Sequence, residues 1–192
     1  MVVQFRPRTI PSDEELEFLN ARNPALRFER SLDGELVVSP LCGYESGLQK
    51  VELVGQVANW NSKFGHGKVI GSSTGISIGL SGMPDAGWLS GARDRSVPKD
   101  QRKKFLRVAP ELVFELISPS DTAAAVARRA GEWVAAGVDM PVVLDPSKRV
   151  AVVYNERGAG EPRTPTLVID KARLPGAERD LVIDLDAVFD AG

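Results

Sequence analysis

Apolar residues recur at Leu53, Val57, Trp60 and Phe64, in steps of four, three and four, and Val51, Val54 and Ala58 widen the stripe. That periodicity predicts an amphipathic helix over residues 47–64. A shorter helix is predicted upstream. There Ser12-Asp13-Glu14-Glu15 carries the serine–glutamate spacing of a capping box ahead of Leu16, Phe18 and Leu19, and Asn23-Pro24 should end the helix. Between these helices, Leu26–Arg30 and Glu35–Ser39 read as extended runs joined by a turn at Asp33-Gly34, which makes a β-hairpin.

Strand-like pieces follow at Lys68–Ile70, Thr74–Leu80 and Asp85–Leu89, separated by glycines at positions suited to turns. After a polar stretch from Gly91 to Lys104, Glu111–Ser118 is apolar on both faces, as expected of a covered central strand. Ser118-Pro119-Ser120-Asp121 then supplies capping groups and a proline for a helix onset, with Val126, Ala130, Trp133 and Gly137 along its edge. Met140–Leu144 and Val150–Tyr154 read as a second hairpin across Asp145-Pro146-Ser147-Lys148. Leu167–Ile169 and Leu181–Ile183 complete the short apolar runs. The alternation of helices and strands predicts an α/β (α+β) protein, expected as one domain over residues 1–192 with no internal repeat.

Composition narrows the function classes. The 192 residues carry a formal net charge of −2 with 26% charged side chains, which excludes a globally basic nucleic-acid binder and leaves room for a local basic face. No apolar run reaches bilayer length and the first residues show no signal-peptide pattern, so a cytoplasmic protein without membrane partners is expected. The single cysteine, Cys42, cannot form an internal disulfide. The single histidine, His66, sits in a Gly65-His66-Gly67-Lys68 turn that lacks the spacing of a phosphate-binding loop.

One residue breaks the pattern of the central strand. Glu115 lies among Val113, Phe114, Leu116 and Ile117, and a carboxylate there is costly unless something compensates it. A metal ion is one compensation. Asp85, after Pro84 at the start of a candidate strand, would supply a second hard oxygen ligand suited to Mg²⁺ or Mn²⁺. Read from the residues alone, an ion pair between Glu115 and an arginine, with Asp85 capping a turn, is equally open.

Pro84-Asp85 followed by Glu115-Leu116-Ile117-Ser118-Pro119-Ser120-Asp121 resembles the PD-(D/E)XK nuclease superfamily, and more narrowly the Uma-type restriction endonuclease family. Arg22-Asn23-Pro24, Asp33-Gly34-Glu35-Leu36, Ser39-Pro40, Ser72-Ser73-Thr74-Gly75 and Leu144-Asp145-Pro146 fall in that family's order, so the likeness covers nearly the whole chain. The resemblance implies a restriction-endonuclease-like core. Its mixed central sheet would be flanked by helices and preceded by the N-terminal helix and hairpin. It further implies metal-dependent hydrolysis of DNA phosphodiesters, with Asp85 and Glu115 as metal ligands and catalytic residues, and a homodimer.

The superfamily lysine usually follows the glutamate by two residues, where this chain has Ile117; the Uma-type family carries it on the following helix, at the place of Arg129. No lysine lies between Asp121 and Gly137. Arginine stays charged and can orient water or a phosphoryl oxygen, but it cannot accept a proton. Arg129 is thus the expected catalytic cation, and its identity keeps open an alternative: a catalytically degenerate relative that binds DNA or a protein partner without cleaving it. Glu52 stands where the superfamily often has a supporting carboxylate, against a reading as a solvated helix residue. Arg95, Lys99, Arg102, Lys103 and Lys104, in the connection between the two acidic residues, are candidate DNA contacts or a plain solvated loop.

Overall fold

The computed structural model describes residues 2–192. Its first elements are β1 (Val3–Phe5), α1 (Asp13–Arg22), β2 (Leu26–Arg30) and β3 (Leu36–Pro40). The capping box forms as its spacing predicts: Glu15 N–H donates to Ser12 Oγ at 3.2 Å and Ser12 N–H donates to Glu15 Oε2 at 2.7 Å. Asn23 closes the helix as its C-cap. The hairpin of β2 and β3 runs in register from Leu26↔Pro40 to Arg30↔Leu36, and Gly34 at φ +78° supplies the left-handed residue its turn requires.

The next helix, α2 (Tyr44–Trp60), begins three residues earlier than its apolar period suggests and passes into a π-turn at Asn61–Gly65. One expected stripe residue is misplaced. Val51 is 72% exposed, while Ser46, Lys50, Leu53, Val57 and Trp60 form the buried face. Then follow β4 (Lys68–Gly71), β5 (Ile76–Ser77), β6 (Ser81–Gly82), β7 (Ala86–Leu89), α3 (Gly91–Ser96) and β8 (Leu112–Leu116). The long strand expected over Thr74–Leu80 is only the two-residue β5, and the polar stretch after β7 opens with the short α3.

Beyond β8 lie α4 (Ala123–Ala135), β9 (Met140–Asp145), β10 (Val150–Asn155), β11 (Gly158–Ala159), β12 (Thr166–Ile169), β13 (Leu181–Asp184) and α5 (Leu185–Asp190). The N-cap of α4 is Thr122, whose hydroxyl accepts from Ala125 N–H at 3.2 Å. The preceding Ser118–Asp121 segment is spent on a turn closed by Asp121 N–H to the Ser118 carbonyl at 3.0 Å.

Six strands form the central sheet in the order β11-β10-β9-β8-β7-β4. All neighbours are antiparallel except β8 and β9, which α4 joins by a crossover, so the sheet is mixed. A second sheet, β1-β3-β2-β6-β5, and the β12–β13 ribbon complete the architecture. Alternation along β8 decides what each face meets. Leu112, Phe114 and Leu116 enter the main core with Leu53, Val57 and Trp60 of α2 and the C-terminal elements; Val113 enters a second core with Trp133 of α4. Burial of Phe114, Leu112, Leu53 and Trp88, each fully removed from solvent, stabilises the fold by roughly 1.5–3 kcal/mol per side chain. No helix among the described residues is long and apolar enough to cross a membrane.

Candidate active site

The antiparallel pairing of β7 with β8, Ala86↔Phe114 through Trp88↔Leu112, puts the start of β7 and the end of β8 at the same edge of the sheet. Asp85 and Glu115 lie there, 4% exposed each. Asp85 N–H donates to the Phe114 carbonyl at 2.9 Å, and Leu116 N–H donates to Asp85 Oδ2 at 2.8 Å, so the aspartate side chain is fixed by the strand that carries the glutamate. Both carboxylates line one cavity of about 40 Å³, room for a few water-sized groups.

On α4 the helical period stacks Arg129 and Trp133 one turn apart, and both meet Glu115. Trp133 Nε1–H donates to Glu115 Oε1 at 2.7 Å, and Arg129 lies 3.6 Å from Glu115 Oε2. A Cβ at Gly82 would come within 3.0 Å of the Trp133 ring, so this glycine is what lets the indole approach β6. The arginine pairing left open by the residue pattern is therefore real, and it coexists with the convergence of the two carboxylates.

Three groups escaped the sequence reading. Lys50 on α2 is 8% exposed, and its Nζ lies 2.7 Å from Asp85 Oδ1. The signal was present: stepping the stripe Leu53, Val57, Trp60 back toward the N-terminus lands on Lys50 and Ser46. Glu29, 5% exposed, is the second, and Arg27 the third. Positions i and i+2 of β2 share a face. Arg27 and Glu29 accordingly both line the cavity, Arg27 at 3.9 Å from Asp85 Oδ1 and Glu29 Oε2 at 3.4 Å from Arg129. Glu29 Oε1 accepts from Met83 N–H at 2.7 Å. The N-terminal hairpin is thus part of the site.

Other expected residues lie elsewhere. Glu52 is not among the cavity lining; its Oε1 accepts from Gln56 at 3.0 Å, and Gln56 in turn bonds Asp184 of β13. The neighbouring turn of α2 points toward the C-terminal ribbon, so the carboxylate from outside the β7–β8 pair is Glu29. Arg95, Lys99, Arg102, Lys103 and Lys104 also do not line the cavity. They belong to the connection that leaves β7 and enters β8 at the opposite ends of those strands, and Arg102 is paired with Asp94 at 3.0 Å. His66 bonds Glu178 at the surface, in the turn expected of it.

Four carboxylates, Glu29, Asp85, Glu115 and Asp121, and three cations, Arg27, Lys50 and Arg129, therefore share a small polar cavity. Burial pushes the Glu115 carboxyl up to about 7; Arg129 opposes this, Asp85 and Glu29 reinforce it, and the Trp133 hydrogen bond opposes it. Glu29 above all, with Glu115, holds Arg129 more firmly protonated than a free arginine. No group of three or more His, Cys, Asp or Glu side chains among the described residues is arranged to hold a metal. Mg²⁺ needs fewer, because it keeps several waters and binds through one or two carboxylates plus substrate phosphates. Asp85 and Glu115 fit that requirement in ligand type and number.

A solved structure, a "putative nuclease belonging to DUF820" from Anabaena variabilis, is similar with a TM-score of 0.66 and 16% identity, over 86% of this chain and 90% of that one. The two chains thus share a fold. The profile of the Uma2 family, described as "Putative restriction endonuclease", matches residues 13–182, and the chain belongs to that family. Nothing among curated proteins matches it.

Proposed function

We propose that this protein is a divalent-metal-dependent endonuclease that hydrolyses phosphodiester bonds in DNA, through one domain spanning the chain. The observation that carries this reading is the convergence of Asp85 and Glu115, from adjacent antiparallel strands, on one polar cavity. Asp85 and Glu115 would hold Mg²⁺ or Mn²⁺, which when bound supplies a Lewis acid for the phosphate and a water of lowered pKa. Trp133 and the Leu116 amide hold the two carboxylates in place. Arg129, 3.4 Å from Glu29 and 3.6 Å from Glu115, offsets their negative charge beside the reacting phosphate. DNA phosphates near the cavity would meet Arg27 before the basic connection at the far ends of β7 and β8. A cytoplasmic homodimer suits the substrate, because two copies of a site that cuts one strand match the two-fold symmetry of a duplex.

A second reading is favoured by one observation: Asp85 Oδ1 and Oδ2 and Glu115 Oε1 already have internal donors in Lys50, Leu116 and Trp133. A network closed in this way suits a degenerate relative that binds DNA or a protein without cutting. Supercoiled plasmid with Mg²⁺ or Mn²⁺ separates the two. Nicking by the wild type that Asp85→Asn abolishes supports the endonuclease; absence of nicking, with retained DNA binding, supports the degenerate form.

A further inference from the structure

We propose that Lys50 is a catalytic residue of this site, its ammonium meeting the scissile phosphate while Asp85 holds it there. The proposal rests on the endonuclease reading and supplies the cation that the family pattern seeks on α4. That helix has no lysine between Asp121 and Gly137, and Ile117, two residues after Glu115, packs against the third apolar cluster with Val126 and Val143.

The cavity lining contains one ammonium and two guanidinium groups, and their commitments differ. Arg129 lies between Glu29 Oε2 and Glu115 Oε2, at 3.4 and 3.6 Å, so moving it to a substrate would leave two buried carboxylates without their partner. Arg27 stands back at 3.9 Å from Asp85. Lys50 faces a single carboxylate oxygen at 2.7 Å, and an ammonium has three N–H donors. One donor anchors it to Asp85; the others are available to the cavity that it lines.

Its place on the helix supports the same assignment. A lysine is almost never buried unless paired. Lys50 nevertheless occupies the inward stripe of α2 with Ser46, Leu53 and Val57, where an apolar side chain would continue the core. The helix delivers a fixed positive charge to the sheet edge where Asp85 and Glu115 converge. In the reaction a water oxygen bonds to phosphorus and one P–O ester bond breaks, giving a phosphate monoester and an alcohol; the water's proton balances the leaving alkoxide. Lys50 neither gains nor loses a proton. It opposes the negative charge that grows on the phosphoryl oxygens.

The test compares Lys50→Met with wild type and Asp85→Asn in three measurements: single-turnover cleavage with Mg²⁺, binding of a labelled duplex in Ca²⁺, and Mn²⁺ affinity by titration calorimetry. Loss of a charge-stabilising donor should slow Lys50→Met by about 100-fold or more. Duplex affinity should stay within about threefold, since the interaction is realised in the transition state. Mn²⁺ should bind more tightly, because no ammonium competes for Asp85 Oδ1. A purely structural lysine would not produce this split between cleavage and binding. Cleavage by Lys50→Met at the wild-type rate, with Asp85→Asn inactive, overturns the assignment and leaves the endonuclease reading standing. No cleavage by wild type, or cleavage surviving in Asp85→Asn, overturns both. If Lys50→Met does not fold, Lys50→Gln, which keeps a donor toward Asp85 without the charge, is held to the same criteria.

Discussion

Glu111 immediately precedes β8 and Glu115 is its last residue but one, both all but removed from solvent at 1% and 4% exposure, and they have different fates. Glu111 is satisfied on both oxygens: Ser90 N–H donates to Oε2 at 2.9 Å and Arg93 Nε lies 3.2 Å from Oε1. Arg93 also holds Asp139 at 2.8 Å and the Ala109 carbonyl, so that end of β8 is a clasp between loop and strand. Glu115 has one short hydrogen bond, a longer contact with Arg129, two further carboxylates for neighbours and a cavity beside it. A buried glutamate is not by itself a sign of function. An excess of converging carboxylates around a cavity large enough for water is.

The comparison is tested most strongly by turnover. Glu115→Gln should lower plasmid cleavage by about 1000-fold, corresponding to ~4 kcal/mol of transition-state stabilisation, while Glu111→Gln should cut at close to the wild-type rate per folded molecule. Equal losses in both, at equal folded fraction, would erase the distinction between the two ends of the strand. Next in size is the effect of the partner cation on stability. Arg129→Met leaves Glu29 and Glu115 facing each other unpaired and should cost about 3 kcal/mol in urea unfolding at neutral pH.

The pH dependence sharpens the same contrast. Because the Glu115 carboxyl is raised to about 7 in the folded protein from an ordinary value near 4.5, the native state binds more protons than the unfolded state between those values. Stability in metal-free buffer should accordingly fall as pH rises through that window, by on the order of 1–3 kcal/mol, and level off above it. Denaturant titrations across pH 4.5–8 read this directly, and Glu115→Gln should remove the slope. A slope that persists in Glu115→Gln would assign it to another group. The smallest effect is expected at Glu52, which pairs with Gln56 outside the cavity: Glu52→Ala should change stability by less than ~0.5 kcal/mol and leave cleavage as it was.

Local signals were legible in the chain wherever one segment contained all the physics. The Ser12–Glu15 capping box, the hairpin around Gly34 and the apolar run of β8 depend on neighbours within a few residues, and each forms as its pattern indicates. The long strand expected over Thr74–Leu80 did not form as such, because only Ile76 and Ser77 find a partner strand in β6. Arg27 and Glu29 lie in an ordinary hairpin strand and Lys50 in an amphipathic helix, and nothing in the neighbouring residues sets them apart. Each became part of the site because three elements remote in sequence close on the end of β7 and β8.

The sequence by itself determined the secondary structure of the core, the family and the exceptional carboxylate on a buried strand, since helix period, strand alternation and the cost of a buried charge are local properties. The tertiary structure decided which charges compensate that carboxylate. Coulombic and hydrogen-bonding partners act across space at a few ångströms, and the pairing of Lys50 with Asp85, of Arg129 with Glu29 and Glu115, and the separation of Glu52 from all of them exist only once α2, α4 and the N-terminal hairpin are packed on the sheet.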